Sequence, residues 1–220
     1  MKLSLTSNQL KLLAMVTMTL DHIGVHLFPQ CLFLRIIGRL AMPIYAYMIA
    51  EGCAHTRNRK QYLLQLAGMA FVCQLVYFIA MGSLFQCILV TFSLSILLIY
   101  AIESPTRWHA PAAFCGVVFF TLLLPLLLRG TDYAIDYGLW GVLLPVAVYL
   151  SKTRKQKLLL AAIVLCLLAL ESGGIQWLGL VALLPLALYS GKRGKASLKW
   201  LFYLYYPLHL VVIFAIGLLL

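Results

Sequence analysis

Apolar runs of about 20 residues succeed one another along this 220-residue chain with only short connectors, and a helix of that length is what crosses the hydrocarbon core of a bilayer. With 64% hydrophobic and 10% charged residues, the chain lies far outside the range of a soluble domain. The reading is all-α: a polytopic membrane helical bundle forming one integral-membrane domain over 1–220. Nine spans fit, at about 10–28, 31–53, 62–81, 84–102, 111–128, 138–150, 158–171, 175–190 and 198–220.

The basic residues test that count. With the N-terminus inside, fourteen of the seventeen Lys and Arg fall on the inner side, from Lys2 and Lys11 through Arg57, Arg59 and Lys60 to Lys192, Arg193, Lys195 and Lys199. Arg129 alone falls on the outer side, and Arg35 and Arg39 lie within the second span. Positive charge accumulates on the cytoplasmic side of membrane proteins, so the bias gives nine crossings with the N-terminus in and the C-terminus out. The net charge of +11 is therefore topogenic; nucleic acid is not an expected partner, since no soluble domain remains to recognise it.

The six cysteines form no CxxC pair and sit in or beside apolar segments, which argues against disulfides and a metal centre. The basic, apolar N-terminus has no small-residue cleavage site and reads as a retained first helix. LLPVAVY at 143–149 echoes LLPLALY at 183–189, as the halves of a two-helix repeat would.

Residues 19–60 hold three of the five histidines, two of the six acids and five of the basic residues. An ionisable side chain at bilayer depth costs several kcal/mol unless paired or facing a polar interior, so it marks function. At about 1.5 Å per residue, Asp21 and His22 lie roughly 17 Å into the first span, and Arg39, Gln74 and His209 reach a similar level. Asp21, His22, Arg39 and His209 are the candidate catalytic set. An adjacent acid and imidazole at this depth, with His209 available on another span, are too expensive for packing alone. Successive helix positions diverge by about 100°, however, so Asp21 can equally serve another helix. His26 and Arg35 lie nearer the outer interface, where long side chains snorkel. Gln74 reads as interhelical hydrogen-bonding glue.

At the inner end of the second span, Glu51 and His55 share a helical face, followed by Arg57, Arg59 and Lys60; together they suit an anion-binding mouth. The mid-membrane set also suits a proton- or ion-coupled transporter, and His22 with His209 suits axial haem ligation.

DHIG at 21–24 followed by FP, GRLAMPIYAYMIAEGCAHTRNRKQYLLQL at 38–66, GKRG at 191–194 and KWLFYLYYPLHL at 199–210 resemble the TraX family of conjugal-transfer membrane proteins, which N-acetylate pilin and are similar to the wider transmembrane acyltransferases. The resemblance implies a multi-pass acetyltransferase of the bacterial inner membrane that takes acetyl from cytosolic acetyl-CoA and gives it to a pilin-like amine. It matches Asp21 and His22 to the family's DH pair, Arg39 to its GRL arginine, and Tyr206, Pro207 and His209 to its YPxH. For the acyl transfer it implies, His22 is the expected general base or a transient acetyl carrier, oriented by its partner carboxylate, with Arg39 or His209 as donor to the oxyanion. It matches Glu51, His55, Thr56 and Arg57 to its AEG-x-x-HTR segment. Arg59, Lys60, Lys192 and Arg193 would join these in holding the CoA phosphates.

Overall fold

The computed structural model describes residues 4–194 and 199–219; Lys2, Lys195 and Leu198, which entered the topology and span assignments, lie outside them. Helix boundaries follow local signals. Thr6 caps α1 (Ser7–His26) through a reciprocal capping box with Gln9. Asn58 accepts from the Gln61 amide to start α4 (Arg59–Met81), and Gly82, in the left-handed conformation (φ 63°), ends it.

The second expected span is broken. It comprises α2 (Leu32–Gly38) and α3 (Ala41–His55), separated by a turn at Arg39–Leu40. Pro43 has no N–H for the Arg39 carbonyl, so a continuous ladder cannot cross this point, and proline is tolerated in the first turn of the new helix. The chain continues through α5 (Ile88–Ile102), α6 (His109–Val118), a π-helical turn at Phe119–Leu123 and α7 (Leu124–Leu127). Pro125 withholds the N–H that the Thr121 carbonyl would receive, consistent with the widened turn. Then come α8 (Gly138–Leu150), α9 (Arg154–Ser172), a 3-10 helix at Gly174–Ala182, α10 (Leu183–Ala187) and α11 (Lys199–Gly217). The two LLP segments fold differently: Pro145 lies inside α8, whereas Pro185 lies in α10, just after the 3-10 helix.

All regular elements among the described residues are helical, and the protein is a helical membrane bundle. Runs Leu32–His55, Arg59–Ile79 and His109–Leu127 are long and apolar enough to span a bilayer, and four further apolar helices are shorter. α4 exposes Leu64, Phe71, Val72, Leu75, Val76, Phe78 and Ile79, a surface suited to lipid rather than water.

The chain divides into two compact units, residues 1–48 with 161–220, and residues 49–160. In the first, α1 packs on α2 and α11. The segment ahead of α1 bonds to the strand-like segment after α10, from the Leu5 amide to the Leu188 carbonyl (2.7 Å) and from the Ser190 amide to the Leu5 carbonyl (2.8 Å). The Ser7 and Asn8 amides then donate to the Lys192 (2.8 Å) and Arg193 (3.1 Å) carbonyls, which satisfies donors that a helix N-terminus leaves open. In the second unit, α5 packs on α4, α6 and α8.

Candidate active site

Adjacent residues of α1 serve two different neighbours. Asp21 turns toward α2: both its oxygens accept from Arg39 Nη2 (2.6 and 2.7 Å), and Oδ1 also accepts from Arg35 Nε (3.1 Å). The Asp21–Arg39 pair is shielded, the Asp21 and Arg39 side chains being 16% and 11% exposed. Gly38 makes the approach possible, because a Cβ there would collide with the Asp21 carboxyl. Arg39 Nη1 donates to Gln176 Oε1 (3.2 Å). Gln176 arrives on the nine-residue 3-10 helix, whose three-residue repeat buries Gln176, Gly179 and Ala182 on one face. Gly179 lies beside the Arg39 carbonyl and Pro43.

His22 turns toward α11. Its Nδ1 lies 2.8 Å from Nε2 of the buried His209, whose own Nδ1 is 2.9 Å from the Tyr205 carbonyl. A carbonyl can only accept, so His209 carries its proton on Nδ1 and, with both rings neutral, presents an Nε2 lone pair to His22. His22 must then donate from Nδ1, which leaves a lone pair on its Nε2. Tyr205 stacks on His209 (centroids 5.2 Å apart, planes within 5°), and its hydroxyl bonds that of Thr19 on α1. His26 stacks beside His22 at 6.2 Å and lies tilted against Phe214 at 4.8 Å.

Asp21, His22, Arg39 and His209 therefore all belong to the first unit, in two subclusters. The carboxylate expected to orient His22 is held by arginines instead, the divergence of neighbouring helix positions having decided the partner. Arg35, expected to snorkel outward, is drawn onto Asp21. Gln176, Thr19 and Tyr205 were not singled out from the sequence. Gln74 lies in the second unit, where its side-chain amide bonds the Phe85 carbonyl (2.7 Å) and the Cys87 amide (3.2 Å), anchoring the connector after its own helix.

The candidate donor-binding residues divide between the units. Lys192 and Arg193 stand beside the start of α1 in the first, some 20 Å of helix from His22. In the second unit the Glu51 carboxylate pairs with Lys157, and His55 Nδ1 donates to the Glu51 carbonyl (2.8 Å). Arg59 pairs with Glu103, lies over the Tyr100 ring (5.4 Å), and shares that carboxylate with the Tyr149 hydroxyl. Thr56 bonds the Asn58 carbonyl (3.4 Å). Among the described residues, Arg57 and Lys60 form no ion pair, and Lys60 lines an open depression of ≈ 420 Å³ with Asn58, Gln61, Leu64 and Gln65.

The sequence matches the family described as TraX protein over residues 6–217, nearly its whole length. The chain belongs to the TraX family. It is 28% identical to the "Probable fimbrial assembly protein FimC, serogroup H1" of Dichelobacter nodosus over 93% of both chains. A 38-residue stretch is 53% identical to an uncharacterized protein of Rickettsia prowazekii, covering 17% of this chain and 15% of that one. No solved structure matches this TraX-family chain.

Proposed function

We propose that this protein is a multi-pass acetyltransferase of the bacterial inner membrane, with nine crossings and a cytosolic N-terminus, that transfers acetyl from acetyl-CoA to the N-terminal amine of a pilin-like protein. The observation that carries the reading is the Tyr205 carbonyl–His209–His22 chain, which leaves His22 Nε2 as an oriented proton acceptor inside an apolar bundle. Membership of the TraX family and the fimbrial-assembly name of the Dichelobacter relative support a pilin-type acceptor.

His22 Nε2 takes a proton from the acceptor amine as its nitrogen attacks the thioester carbonyl; the C–N bond forms, the C–S bond breaks, and the CoA sulfur leaves with the proton from Nε2. The positive charge that His22 carries in between is shared through Nδ1–H with His209. Arg39 is held by Asp21 and Gln176, which suits it to holding α1, α2 and the 3-10 helix together rather than to meeting the oxyanion. Lys192 and Arg193 are suited to the phosphates of the donor; Arg57 and Lys60, taken by themselves, are suited to such phosphates as well.

The test is His22→Ala in lipid nanodiscs, with acceptor-peptide mass as readout. Turnover should fall by about two or more orders of magnitude while the protein stays folded. Transfer at near-parental rate by that variant would refute the assignment.

A further inference from the structure

Arg35 has more hydrogen-bonding capacity than Asp21 uses. Arg39 takes both carboxylate oxygens at 2.6 and 2.7 Å, and Arg35 reaches Oδ1 through Nε alone, at 3.1 Å. Among the described residues its two Nη groups meet no acceptor, so the half of the guanidinium suited to bidentate recognition of an oxyanion is open. The side chain is 33% exposed against 11% for Arg39, so it is not sealed within the bundle.

It is also held in place. The aliphatic stem lies over Gly24 of α1, where a Cβ would stand 3.2 Å from Arg35 Cδ, and the Nε bond draws the head inward along α1 to the residue that precedes His22. The charges are unequal: one carboxylate faces two guanidiniums that stay protonated, an excess of positive charge that an apolar setting penalises until an anion arrives.

We propose that the Nη edge of Arg35 is the docking point for a carboxylate of the acceptor, close in its chain to the amine that is acetylated. This rests on the acyl-transfer reading and adds a substrate class to it, an acidic N-terminal segment. The inward hold of the guanidinium on Asp21 favours a group brought to the histidine pair over a lipid phosphate at the interface.

The test uses the full chain in phosphatidylcholine nanodiscs and two synthetic peptides that differ by one Glu or Gln near a free N-terminus. Binding is measured without acetyl-CoA and transfer separately, so a protein that binds but does not acetylate would sink the transferase reading while leaving Arg35 as the carboxylate-binding group. The parental protein should bind the Glu peptide about tenfold or more tightly, Arg35→Gln should abolish the preference, and Arg35→Lys, which keeps the charge but loses the fork, should retain part of it. Equal binding of the two peptides by the parental protein, or a preference that survives Arg35→Gln, overturns the proposal. A thermal midpoint that rises with phosphatidylglycerol in the parental protein but not in Arg35→Gln, without peptide discrimination, also overturns it and gives the arginine to lipid.

Discussion

Replacing Asp21 with Asn retains the side-chain shape and removes the one carboxylate that pairs with both arginines. The amide oxygen can still accept one N–H from Arg39, but the amide nitrogen brings two donors against a guanidinium that has only donors. Arg39 stays charged, 11% exposed, with Gln176 Oε1 as its other acceptor. Removing one partner of a fully buried pair costs about 3–5 kcal/mol, and the residual exposure here lowers the expected loss to about 2–4 kcal/mol. Adding Arg39→Gln removes the cation that has lost its carboxylate and puts two neutral amides in place of the ion pair, able to exchange hydrogen bonds with each other and with Gln176. The Asp21→Asn/Arg39→Gln protein should therefore be more stable than Asp21→Asn alone, with a coupling energy of about 1–3 kcal/mol. Unfolding of the four proteins of the cycle in mixed detergent micelles of one composition measures it. A double variant no more stable than Asp21→Asn would show that the two residues are not energetic partners.

Gly38→Ala should cost about 1–3 kcal/mol in the same unfolding assay, because its Cβ must displace the Asp21 carboxyl. Gly179→Ala should be tolerated, its Cβ standing 3.6 Å from the Arg39 carbonyl, whereas Gly179→Leu should push the 3-10 helix off Arg39 and lower the thermal midpoint. Glu103→Gln should change stability by less than about 1 kcal/mol, since the pair is half-exposed, and by releasing Arg59 should lower the KM for acetyl-CoA; an unchanged KM would make Arg59 purely structural.

Apolar runs carried the expected spans, and the structure ends their helices within a few residues of those bounds, at local signals: Thr6 with Gln9, Asn58 and Gly82. The break at Arg39 was written in the same terms, as Gly38 ahead of Pro43, but the apolar run of 31–53 concealed it. Gln176 was harder to find. Its burial follows a repeat of three rather than 3.6, and in GIQWLGLVA a three-residue repeat has no polar face to reveal it. The Glu51–Lys157 pair joins residues 106 positions apart, and no local pattern encodes which lysine of an inner basic cluster such a carboxylate will choose.

The division of Asp21 from His22 has a mechanistic consequence. A carboxylate behind an imidazole fixes its tautomer and also stabilises the imidazolium; a backbone carbonyl behind His209 fixes the tautomer with no full charge to desolvate. The two histidines must then share the proton that a carboxylate would otherwise have balanced, and their 2.8 Å contact permits it. The ion pair, relieved of that task, anchors α1 to α2 and the 3-10 helix and so sets where His22 stands. Damage to the two subclusters should consequently read out differently. Substitutions around Asp21 act first on stability and only through it on turnover, while His209→Gln, which leaves the ion pair intact, should depress turnover with little loss of stability.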